Sequence, residues 1–204
     1  SNNATGQFAQ LFRWRLSGNA ADFNSRLQVL SKAVALNNVG INLIVIKAIK
    51  AAINTRGGTR TIGAENQGTK PKLKEWQPEL WQEIFDYWQV LFDILIGFAN
   101  DKELVEHVKD VIGNEIRGLV RNGRLKMLDD AIRKIICQSD KYWPAASRCI
   151  THALQYDIKG LKEEQVKALN EWASLLAPDS GNLEEKLKLI VLNPVREHEK
   201  DKEG

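Results

Sequence analysis

Gly63-Ala64-Glu65-Asn66-Gln67-Gly68-Thr69-Lys70 places two glycines at the spacing of a phosphate-cradling loop. That chemistry needs a lysine followed by a hydroxyl, each reaching a different phosphate or metal position from the first turn of a helix. Here the order is threonine then lysine, an apolar helical stretch precedes the segment instead of a strand, and Pro71 follows. A glycine-rich linker is the expected reading. Cys149 and His152 lie three apart on one helical face, with Cys137 upstream and His107 further still. Structural zinc takes four ligands, usually from close Cys or His pairs, and no CxxC or HxxxH is present. Both cysteines therefore read as buried small thiols. His107, His152 and His198 are the only histidines, and neither a GxSxG turn nor an HExxH helix occurs. Glu163-Glu164 and Glu184-Glu185 open helices, where carboxylates favour the positive end of the dipole. No catalytic constellation emerges, and neither a cofactor nor a metal is expected.

Basic residues carry more. Arg56, Arg60, Lys70, Lys72 and Lys74 share a long glycine-bearing loop with only Glu65 and Glu75 against them. Arg117, Arg121, Arg124 and Lys126 form a second cluster around Asn122-Gly123. Spaced cations on a flexible chain can follow a phosphate backbone with salt-sensitive affinity, although no aromatic lies among the loop cations to stack on bases. A solvated linker and an ordinary charged helix face explain the same residues. Over the whole chain 29 basic residues against 26 acidic ones leave a formal +3, too little to imply nucleic acid globally.

These residues sit on a strongly helical sequence. With 204 residues, 43% of them hydrophobic, the chain can build a core without disulfides or metal. Two cysteines are too few for a disulfide framework, which points to a reducing cytosol, and no apolar run reaches membrane-spanning length. Phe8, Leu11, Phe12, Arg15 and Leu16 predict a short helix stopped near Gly18. Phe23 to about Asn37 and Ile41 to Ala52 predict a helical hairpin. Residues 55–77 are irregular. Pro78 is expected at a first helical position, before a stripe of Trp81, Ile84, Phe85, Trp88, Leu91, Phe92 and Leu95 that reads as core. Trp76 is expected to cover the start of that helix.

Further helices follow Asn100-Asp101, Asn122-Gly123, Pro144 and Gly160. A last one is expected after a capping-box pair of Asn182 and Glu185. Grouped in pairs they begin near Pro78, Arg124 and Glu163, a spacing of about 40–47 residues, as in two-helix HEAT or armadillo repeats. No strand alternation appears.

Trp76-x-Pro78, Trp143-Pro144, Leu154-Gln155-Tyr156-Asp157-Ile158-Lys159-Gly160-Leu161, Leu176-Ala177-Pro178 and Asn193-Pro194 punctuate the region from Trp76 to Gly204. In this the region resembles the α-helical repeat regions of large multidomain bacterial NTPases of signalling and antiviral defence. The resemblance implies a part that senses, scaffolds or oligomerises, with chemistry in other domains. It carries over no catalytic residue.

The sequence thus predicts an all-α chain: antiparallel helix pairs stacked as an irregular HEAT-like α-solenoid or multi-helix bundle. Its parts are an N-terminal helical segment (1–54), a Gly/Lys-rich loop (55–77), the array (78–193) and a charged tail (194–204). The missing initiator Met and the charged tail suggest a piece of a longer polypeptide. The expected role is a non-catalytic cytoplasmic scaffold that binds a protein partner or neighbouring domains, without membrane contact. The alternative is nucleic-acid binding through 56–74 and 117–126.

Overall fold

The computed structural model describes residues 3–55 and 74–177. Among them lie eight α-helices and no strand: α1 (Ala4–Gln10), α2 (Phe23–Ala35), α3 (Val39–Ala52), α4 (Trp81–Phe98), α5 (Val105–Arg121), α6 (Leu125–Gln138), α7 (Pro144–Tyr156) and α8 (Glu163–Leu175). None is long and apolar enough to cross a membrane. The Asn182–Val191 helix read from the sequence lies outside the described residues.

Short polar side chains start the first three helices. Asn3, Asp22 and Asn38 each accept the backbone N–H three residues on, at 2.8, 2.7 and 3.1 Å, and so satisfy donors that the helix itself cannot. Asn122 and Gly123 end α5 as expected. Gly123 takes φ +70°, Arg124 N–H donates to Leu119 O and Gly123 N–H to Val120 O, which is a Schellman turn. Pro144 occupies the first turn of α7. At α8 the side chain of Gln165 accepts the Lys162 N–H at 2.8 Å and donates to Val120 O at 2.5 Å, tying the helix start to the end of α5.

The packing forms two rows. α1 lies on α3, α3 on α5 and α5 on α7; α4 lies on α6 and α6 on α8. Pairs adjacent in sequence, such as α5 with α6 and α7 with α8, join the rows. Five helices, α1, α3, α4, α5 and α6, thus pack on the helix two places along, while α2 packs on α3. One core runs through the described residues from Phe12 to Leu176, with Trp88, Trp143 and Trp172 all but inaccessible. Each buried indole N–H has an acceptor: Ala52 O (3.1 Å), Lys109 O (2.7 Å) and Asp129 Oδ1 (2.9 Å) respectively.

α5 and α7 approach most closely because their facing residues are small. A Cβ on Gly113 would sit 2.7 Å from Ala146 N and 2.8 Å from Ala145 Cβ. One on Gly118 would overlap Thr55, which follows α3.

Five expectations need correction. The first helix ends at Gln10, not near Gly18: Leu16 is left-handed (φ 54°), and Tyr87 Oη donates to Phe12 O (2.9 Å), drawing Phe12 into the core. The fourth helix starts at Trp81, not Pro78. Ser17 N–H donates to Glu75 Oε1 (2.6 Å) and Trp76 N–H to Asn19 O (3.0 Å), which holds the preceding residues along the N-terminal segment. Trp76 accordingly packs edge-on to Phe23 instead of capping α4, and Trp81, at the helix tip, is 57% exposed instead of core. Of the thiols, Cys137 is exposed because it falls opposite the buried face of α6, and Cys149 is half-buried at the edge of the buried face of α7.

Candidate functional site

Two concave surfaces stand out, one aromatic and one basic. The aromatic groove forms where residues 11–22 meet the approach to α4. Arg26, 3% exposed, holds that irregular segment: Nε donates to Ala21 O (2.9 Å), Nη1 to Arg13 O (2.6 Å) and Nη2 to Ser17 Oγ (3.1 Å). Burial lowers its pKa, while Glu75 and Asp22 favour the cation. Around this anchor the rings of Phe23 and Tyr87 stack at 4.1 Å. Burial pushes the Tyr87 phenol well above its ordinary value.

The groove itself encloses about 490 Å3 between Trp14, Arg15 and Leu16 on one wall and Pro78, Leu80 and Trp81 on the other. Trp14 lies 5.7 Å from Trp81, Trp81 5.9 Å from Phe85, and Phe85 6.0 Å from Trp88, so a ladder of rings leads from surface to core. Leu80 is 64% exposed at its lip. Arg15 lies over the Trp14 ring and Arg124 over Phe85, at 4.9 and 3.7 Å.

The basic groove lies between α5 and α7 and encloses about 480 Å3. Arg117 and Arg121 descend from α5, and Arg148 and His152 from α7. Behind them Asp157, with a side chain 5% exposed, is gripped by both α5 arginines: by Arg117 through Nε and through Nη2 (2.6 Å), and by Arg121 Nη2 (2.7 Å). The hydrogen bond from Arg117 holds the Asp157 carboxyl below its usual range, and the charges of both arginines add to this. Thr55 closes one end, its N–H and Oγ1 donating to Glu115 Oε2 at 3.0 and 2.8 Å. Arg148 makes no ion pair among the described residues, and the His152 ring sits 4.6 Å from Tyr156.

Of the basic residues singled out in the sequence, five lie among the described residues. Arg56, Arg60, Lys70 and Lys72 lie outside the described residues, as does the 63–70 glycine segment. Lys74 is exposed where the chain returns. Arg117 and Arg121 line the α5–α7 groove, Arg124 turns to α4, and Lys126 is solvent-facing. Thr55, the last described residue before the basic loop, lines the same groove as Arg117 and Arg121. Sequence reasoning missed Arg148 and Asp157 as parts of this site. Only the i,i+4 spacing of Arg148 and His152 on α7, facing Arg117 and Arg121 at the same spacing on α5, could have signalled it. Cys149 and His152 share the groove wall, but among the described residues no three His, Cys, Asp or Glu side chains gather so as to hold a metal. Comparisons with protein-family models, with curated proteins and with solved structures returned no match to this chain.

Proposed function

We propose that this chain is a protein-binding helical array whose partner inserts an apolar side chain into the Trp14–Trp81 groove. The carrying observation is the exposure of Leu80 and Trp81, 64% and 57%, beside a concavity lined with rings. A large side chain left in water at a rigid helix tip gains most by being covered, and aromatic and arginine anchors dominate binding energy at protein interfaces. Arg15 and Glu79 border the groove with opposite charges, which suits an extended segment passing between them. The stacked rows hold these residues in place and leave the flanks of the array for neighbouring domains. The resemblance of the Trp76–Gly204 punctuation to repeat regions of multidomain NTPases accords with such a scaffold, and the lack of a disulfide among the described residues accords with a reducing cytosol. Nucleic-acid binding is the weaker reading, since Arg124 lies over the Phe85 ring and only Arg117 and Arg121 of the second basic cluster line the α5–α7 groove.

The test compares proteins captured by the intact chain and by Trp81→Ala, Leu80→Ser and, as a control, Leu36→Ser, which removes an exposed leucine elsewhere. A partner lost with the first two and kept by the third, then reproduced with purified components, supports the reading. Identical capture by all four proteins rejects it.

A further inference from the structure

We infer that the α5–α7 groove is a binding site for a small phosphate-bearing ligand, independently of the aromatic groove. Three guanidiniums face one concavity, against two carboxylates that are both turned inward. Asp157 and Glu115 are 7% and 6% exposed. Among the described residues one positive charge therefore remains over, before His152 is counted.

The two carboxylates serve as struts. Asp157 fixes the Arg117 guanidinium through Nε and Nη2 and the Arg121 guanidinium through Nη2. Arg117 Nη1, and Arg121 Nε and Nη1, are left without protein acceptors among the described residues. Donors already held in place lose less freedom when an anion arrives. Glu115 accepts from Thr55 and so sets the end wall without pointing at the opening.

Arg148, exposed on α7, supplies a third fork from the opposite wall. Forks arriving from two helices offer more donors than the two oxygens of a carboxylate can take. They match the three terminal oxygens of a phosphoryl group. A volume of about 480 Å3 lies in the range of small-ligand pockets, so the phosphate can bring an organic body with it. The His152 ring, which lines the groove, gives that body an aromatic face to lie against.

Titration calorimetry at fixed ionic strength, with pyrophosphate, AMP and succinate as probes, tests this on the intact chain. Saturable binding of pyrophosphate and AMP is expected, with succinate at least tenfold weaker. Arg148→Gln should raise the dissociation constant tenfold or more with unchanged melting temperature, and Arg121→Gln should raise it as much while lowering the melting temperature slightly through its lost pair with Asp157; Lys126→Gln leaves both alone. Arg117 is left intact because its loss would strand buried Asp157. Absence of saturable binding, equal affinity for succinate, or affinity untouched by Arg148→Gln would overturn the proposal. So would binding of a single-stranded oligonucleotide alone that pyrophosphate does not displace, which would mark a polymer surface instead.

Discussion

The two ends of the described array solve the same packing problem with opposite materials. Between α5 and α7 the chain brings backbones together: Gly113 meets Ala145 and Ala146, with no room for even a methyl group. Near α1 and α2 it fills a wide gap with rings, Phe23 on Tyr87 and Trp76 on Phe23, and stitches an irregular segment to one buried guanidinium. The first junction depends on size and the second on polar pairing. Each leaves a groove of matching character, basic beside the close crossing and aromatic beside the ring-filled gap.

Substitutions can break that contrast. Arg26→Met is expected to have the largest effect. It keeps an unbranched stem but strands Arg13 O and Ala21 O and leaves Ser17 Oγ to Glu75 alone, at about 3–4 kcal/mol of stability. Urea unfolding measures it, and a loss below about 1 kcal/mol would mean that the rings, not the guanidinium, hold that end. Gly113→Ala comes next. The added methyl must displace the α7 backbone at Ala146, a strain of about 1–3 kcal/mol that the better helix propensity of alanine offsets by about 1. A net destabilisation of about 1–2 kcal/mol is expected, whereas stabilisation would show the crossing to be loose.

The smallest effect concerns pH. The folded Asp157 carboxyl titrates below its ordinary 3.8, so its contribution is complete above that value and fades as pH falls through the lowered one. The stability difference between the wild type and Asp157→Asn should accordingly be flat from pH 5 to 7 and shrink below about pH 4, as read from melts across that range. A difference that persists undiminished to pH 2 would separate Asp157 from the Arg117 pair.

The sequence made most of the helices legible because their causes are local. Asn122-Gly123 closes α5 and Pro144 opens α7 through backbone rules that act within one turn. The spacing of Trp88, Leu91, Phe92 and Leu95 places all four in the core. Where the cause lies far along the chain, the reading failed. Leu16 continues an apolar stripe on paper, yet the pull of Tyr87 on Phe12 acts across 75 positions. Trp81 shares a stripe with Trp88 but stands at a helix tip, which periodicity does not see. The basic groove was half visible: Arg117 and Arg121 share a face of α5, but their apposition to Arg148 and the burial of Asp157 depend on how α7 crosses. Gly113 and Gly118 are a clue to the close crossing itself, since a glycine inside a helix is costly unless another segment comes close.

Stacking in rows also sets a kinetic order. α7 can settle on α5 as soon as both exist, because only α6 separates them, and α8 can then settle on α6. The seam at which Tyr87 finds Phe12 must wait for a far larger loop to close. The carboxyl-terminal hairpins would therefore form the template, with the aromatic end zipping on last and, under stress, peeling away first.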